Sequence, residues 1–234
     1  NQESEKEYDY TVSWVDCLAK NSTGLRGIFH AGNHSKKQLS KKNKNDFSIP
    51  VPFTPPISLV NNLSMKIINE VYYKINKNEN FKLQHYKSFF FPLDIIGSWG
   101  RAYGPKGFFQ YQFVIPDKNG KEGLKKILYE IKNHGQVPAL GVLKTFGNIK
   151  SVGMMSFPRK GITMALDFQN KGKETLKFLD RLDSIVMEYE GALYPAKDAR
   201  MSKEVFNKSF PYVNEFVKYI DPKFSSSFWE RVNK

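Results

Sequence analysis

From residue 8 to residue 17, Tyr8, Tyr10, Val12 and Trp14 fall at every second position, and this period of two in β-branched and aromatic types predicts a strand. A second strand is expected over residues 26–30. Between residues 61 and 75 the period changes. Leu63, Ile67, Ile68, Val71, Tyr72 and Ile75 recur at spacings of three and four, which predicts an amphipathic helix. Further on, the pattern reads as strand 109–115, helix 121–133 with Leu124, Ile127, Leu128 and Ile131 inward, strand 139–145, strand 162–168, and helix 174–189 carrying Leu176, Leu179, Leu182 and Val186. The order β-α-β-β-α is that of an α+β, ferredoxin-like antiparallel sheet with helices on one face.

The connecting segments have their own logic. Residues 35–46 are rich in lysine and asparagine, and Pro50, Pro52, Pro55 and Pro56 follow, denying the backbone regular hydrogen bonding. Residues 97–107 hold four glycines and Pro105 around Trp99, Arg101 and Tyr103, the make-up of a lid. Mobility is expected near 35–56 and 93–107. In the last part, Val205, Phe206, Phe210, Val213, Phe216 and Val217 lie at helical intervals interrupted by Pro211, with Ser202 as N-cap. Behind Gly191 the composition changes little, yet a unit over 1–191 and a helical C-terminal segment over 192–234 with a different role are expected, a division that rests on the family resemblance given below.

A hydrophobic content of 40% in 234 residues is enough for a real core. No run approaches the roughly 20 apolar residues that span a bilayer, and the polar start of the chain lacks the apolar core of a signal peptide. The single Cys17 rules out an internal disulfide and is expected to be a small core residue. A cytoplasmic chain, or one peripheral at the inner membrane face, is the expectation. The net charge of +13 suits nucleic acid, anionic headgroups or a phosphorylated substrate. Nucleic acid is disfavoured, because the lysines are dispersed and no zinc-finger, RNP or helix-turn-helix pattern accompanies them. His30, His34, His85 and His134 are scattered without metal-ligand spacing, so no metal is expected.

Gln110 and Gln112 are two apart on one strand and share a face, where two amides can read sugar hydroxyls; Phe109, Tyr111 and Phe113 point the other way. Lys144, following Val142 on its strand face, offers a point charge for a phosphate.

Three fragments carry a resemblance when taken in order: Phe109-Gln-Tyr-Gln-Phe-Val-Ile-Pro116, Leu140-Gly-Val-Leu-Lys-Thr-Phe-Gly147 and Leu193-Tyr-Pro-Ala-Lys-Asp-Ala-Arg200. Supported by 10–16, 101–105, 210–212 and 221–222, they resemble the substrate-binding half of the vanillyl-alcohol oxidase superfamily of FAD-linked oxidases, in particular members that act on polyprenylphosphate-linked sugars. The glycine-rich, pyrophosphate-cradling segment of that family has no counterpart here. The resemblance therefore implies the substrate-binding part of an enzyme whose FAD-binding domain lies elsewhere, with little FAD affinity of its own.

It further implies that Trp14, Gln110, Gln112, Lys144 and Tyr194 face substrate, that Tyr194 and Lys197 border the flavin, and that Lys197 is the catalytic polar group, as base or as stabiliser of developing charge. The plainer alternative for Lys197 is a surface lysine paired with Asp198. Where the best-known members carry a pocket cysteine, Ala165 stands here, and Phe90 stands for a tyrosine. Implied partners are the chain's own FAD domain, a sugar or lipid-linked sugar, a short-chain dehydrogenase acting on the keto product, and the membrane surface. The C-terminal segment would return to the flavin domain, leaving its apolar face without a partner in isolation. An aldonolactone or alditol oxidase, or a non-catalytic basic module for anionic polymers or membranes, remain alternatives.

Overall fold

The computed structural model describes residues 7–19, 26–37, 48–78, 81–136 and 138–233. Among these residues there are six strands, β1 (Tyr10–Asp16), β2 (Arg26–Gly32), β3 (Phe108–Pro116), β4 (Leu140–Phe146), β5 (Gly161–Gln169) and β6 (Ala192–Leu193). They form one antiparallel sheet in the order β2-β1-β4-β5-β3-β6. The last four are the ferredoxin-like unit, and β1 and β2 extend it beyond β4.

Helices α3 (Asp117–His134) and α4 (Lys173–Glu188) cover one face. Because side chains alternate across a strand, Tyr111, Phe113 and Ile115 of β3 meet Met164, Leu166 and Phe168 of β5 on that side. Leu124, Ile127 and Ile131 from α3 and Leu179, Leu182 and Val186 from α4 close the core as expected. Helix α3 begins four residues earlier than its apolar period suggests. Gly120 and Gly123 look like breakers, yet a Cβ on Gly123 would stand 2.7 Å from Ile115 Cδ1, so the glycine allows the helix to lie close on β3.

Helix α1 (Asn62–Asn76), capped by the Asn61 side chain, lies on the other face of the sheet over β1. Tyr72 packs on Trp14 with ring centroids 4.8 Å apart, and Asn69 Nδ2 donates to Asp16 Oδ1 at 2.7 Å. Its buried residues are Met65 and Asn69, while Leu63, Ile67, Ile68, Val71 and Ile75 are exposed. The helix is where its period places it, but most of the residues that reveal it do not enter the core.

The short α2 (Tyr86–Phe90) precedes residues 97–107, which hold a 3-10 turn, Trp99–Tyr103. Tyr103 is buried and stacks on Phe108 at 4.5 Å, and Arg101 Nη1 donates to the carbonyls of Val51 and Pro52. The proline-rich segment is tied to this turn by backbone pairs Val51 N to Gly97 O and Leu59 N to Ala102 O. Of the 35–46 stretch, residues 38–46 lie outside the described residues.

The C-terminal segment forms α5 (Lys203–Ser209), capped by Ser202, then α6 (Val213–Phe216) and α7 (Ser227–Asn233). Its apolar side chains are covered from within the chain: Met201, Phe206, Phe210, Val213 and Val232 join the same core as the sheet, with α5 packed on α4 and β6. The expectation that this face stands unpartnered in isolation is thus corrected. The reason is β6, whose two residues pair with β3 and bring the following chain back onto α4.

Candidate functional site

The face away from α3 and α4 gathers the polar positions of three strands. Across it run two rows set by the pairing register. Gln112, Ala165, Val142 and Trp14 form one, and Gln110, Asp167 and Leu140 the other. Directly paired residues share a face, so Trp14, Gln110, Gln112 and, two residues on from Val142, Lys144 all lie on it. Ala165 and Val142 leave a low floor between Gln112 and Trp14, a span of three strand spacings or about 14 Å.

Beside β3, the chain turns through Pro195–Lys197, a 3-10 turn. Tyr194 N donates to Gln112 O at 2.9 Å, which fixes this turn against the strand. Gln110, Gln112, Tyr194 and Lys197 line one small recess there, together with Asp198 and Arg200. The Tyr194 ring packs on Phe157 at 4.8 Å. Lys144 is exposed and its pKa is lowered, first by desolvation and then by the charge of Lys197. The structure therefore brings Gln110, Gln112, Tyr194 and Lys197 together with Lys144 in electrostatic reach. Trp14 stands apart, on the same face but beneath α1.

The turn that carries Lys197 is held on both sides. Asp198 Oδ1 accepts from Arg200 N at 2.9 Å and Met201 N at 2.5 Å, and its Oδ2 pairs with Arg231 of α7. Among the described residues the ion pair of Asp198 is with Arg231, and none joins it to Lys197. Arg200 in turn reaches Asp183 of α4 through Nη1 and Nη2, both at 2.8 Å, and Tyr111 Oη donates to Asp183 Oδ1 at 2.9 Å. Burial raises the pKa of Asp183, with Arg200 and Tyr111 opposing the rise.

One side chain on the face, Asp167, does not stand out in the sequence. Asp167 is 3% exposed; its Oδ1 accepts from Gln110 Nε2 at 3.1 Å, and its Oδ2 is buried without a hydrogen-bond partner among the described residues. Burial pushes its pKa up to about 6, with Gln110 and the Lys197 charge acting in the opposite direction. Tyr103, from the 97–107 segment, lies near enough that the Asp167 charge helps raise its own pKa, after burial. A partial signal for Asp167 lies in the sequence, where Thr163 and Asp167, with the small Ala165 between them, alternate with Ile162, Met164, Leu166 and Phe168; the register puts them on the side of the two glutamines.

Chemically, the face offers amides, two lysine ammonium groups and a buried carboxyl. The lysines repel one another, and an anionic group placed between them would relieve that cost. Such a donor set fits the edge of a flavin or a phosphate. Among the described residues no helix is long and apolar enough to cross a membrane.

No family model matches the chain. Over 94% of its length it is 34% identical to the decaprenylphosphoryl-beta-D-ribose oxidase of Mycolicibacterium smegmatis, and the match covers 49% of that protein. A protein of Streptomyces coelicolor described as uncharacterised, from the mprA 5' region, is 28% identical over 93 residues, 40% of this chain and 25% of its own length. The chain thus spans about half the length of the curated oxidase it matches. The likeness read from the three fragments extends along almost the whole chain.

Proposed function

We propose that this chain is the substrate-binding part of an FAD-dependent oxidoreductase that oxidises a secondary alcohol of a sugar-like, polyprenylphosphate-linked substrate. The observation that carries the reading is the gathering of Gln110, Gln112, Tyr194 and Lys197 around one recess beside β3, with Lys144 within reach of the Lys197 charge, in a chain 34% identical over 94% of its length to an oxidase named for such a substrate. Bound FAD would supply the hydride acceptor.

Each residue has a distinct task. Gln110 and Gln112 orient the ring through its hydroxyls, and Lys144 attracts the phosphate. Tyr194 and Lys197 border the flavin. Lys197, steadied by the Asp198–Arg231 and Arg200–Asp183 pairs next to it, takes the proton of the reacting hydroxyl or stabilises the charge that develops on its oxygen. Two lysines near one another favour an anionic substrate over the neutral sugar of an aldonolactone or alditol oxidase. The partners that follow are the chain's own FAD domain, a dehydrogenase that reduces the keto product, and a membrane surface from which the lipid is drawn.

The test is anaerobic mixing of the intact, flavin-loaded protein with decaprenylphosphoryl ribose. Bleaching of the flavin absorbance by this compound, and not by free ribose, is expected. A protein that carries no flavin, or whose flavin the compound leaves oxidised, would refute the reading.

A further inference from the structure

The two glutamines of the sheet face are anchored alike. Gln110 donates its amide NH2 to Asp167, and Gln112 donates its own to Thr163 Oγ1 at 3.1 Å. Thr163 can only receive that bond, because its hydroxyl proton is used on the Phe113 carbonyl at 2.8 Å. An ionised carboxylate likewise only accepts. Among the described residues neither glutamine carbonyl accepts a hydrogen bond.

We propose that Asp167 is a positioning residue that locks the Gln110 amide with its carbonyl oxygen toward the ligand, so that with Gln112 the face presents two acceptors for a pair of ring hydroxyls. This rests on the sugar-oxidising reading and narrows it: the ring must present two hydroxyl donors to β3, spaced for carbonyls about 7 Å apart along the strand. A neutral asparagine in place of Asp167 could offer either its oxygen or its NH2 and would leave Gln110 free to reverse. A carboxylate removes that choice. It is kept at a site where it is 3% exposed and one oxygen has no hydrogen-bond partner among the described residues, a costly placement that packing alone does not require.

The lock has a protonation limit. The groups facing Asp167 are Gln110 of β3, Lys197 of the Pro195–Lys197 turn and Tyr103 of the 97–107 segment, while Leu140 is its neighbour on β4. Once protonated, Asp167 can donate to the Gln110 carbonyl, and the amide reverses. Its pKa of about 6 puts this change within reach of mild acid.

Orientation is tested directly by NMR on this chain. The Gln110 side-chain NH2 protons should be protected from exchange at pH 7.5, lose protection at pH 5, and be unprotected at both in Asp167→Asn. An unprotected amide in the native chain at pH 7.5 overturns the proposal whether or not the protein oxidises sugars. In the intact enzyme, Asp167→Asn should raise the KM for decaprenylphosphoryl ribose about tenfold, the worth of one hydrogen bond, with kcat within about threefold. In a Gln110→Ala background the same change should add nothing. Native KM in Asp167→Asn, or an undiminished effect without Gln110, overturns it. If Asp167→Asn does not fold, Gln110→Ala decides alone: its KM should no longer rise in acid, and a persisting rise overturns the lock. Absence of all turnover in the native enzyme would instead sink the oxidase reading.

Discussion

Asp198, the residue next to Lys197, is paired with Arg231 of the last helix, thirty-three positions along the chain. The contact ties the candidate catalytic turn to the end of the molecule and leaves Lys197 facing the recess with Gln110 and Gln112. Arg231→Ala should therefore leave a largely buried carboxylate without its cation. We expect a loss of about 1–3 kcal/mol in urea denaturation, and a drop in turnover without a change in substrate phosphate preference. Unchanged stability would mean the turn is held by its backbone bonds alone.

A deeper anchor lies under the same turn. Asp183 is 4% exposed and receives Arg200 and Tyr111. Removing one partner of a buried ion pair is far costlier than removing both, so Arg200→Ala should destabilise the chain by about 3–5 kcal/mol. Tyr111→Phe, which deletes only one neutral donor, should cost about 1–2 kcal/mol. Denaturation of the two variants checks the order as well as the sizes.

Asp167 has the opposite sign of linkage from a salt-bridged carboxylate. Its pKa is raised to about 6 in the folded chain, above the ordinary value in the unfolded one. The native state thus holds the proton more tightly, and stability falls as pH rises from about 4 through 6. Asp167→Asn cannot titrate. The stability of the native chain relative to this variant should decline by about 1–3 kcal/mol between pH 4 and 7.5. Parallel pH curves for the two proteins would contradict the burial of this carboxyl.

On α1 the exposed stripe makes a prediction that its amphipathic sequence does not. Ile67→Ser and Val71→Ser should change the stability of this chain by no more than about 0.5 kcal/mol. Met65→Ala, on the buried side, should cost about 2–4 kcal/mol. Thermal denaturation of the three variants distinguishes the two faces.

That helix shows where the sequence is readable and where it is not. Periodicity locates α1 because it counts apolar residues, but it cannot say which neighbour covers them; the buried side is instead chosen by Tyr72 on Trp14 and Asn69 on Asp16, contacts between distant segments. The two core helices and β3 to β5 were legible because each buries the face its pattern marks. Strand β6 was not, having two residues and no period. Helix α7 left a weaker sign, Ser226, whose hydroxyl caps Trp229 N. Within the site, the shared face of Gln110 and Gln112 follows from strand alternation, whereas placing Lys144 and Asp167 on that same face needs the register that sets β3 and β4 against β5.

Lys197 is the point on which the functional account turns. In the intact, flavin-loaded protein, anaerobic stopped-flow mixing of Lys197→Ala with decaprenylphosphoryl ribose should bleach the flavin about two to four orders of magnitude more slowly than native protein, at equal flavin content. Flavin reduction at the native rate in that variant would contradict the assignment of this face as the place where the sugar alcohol is oxidised.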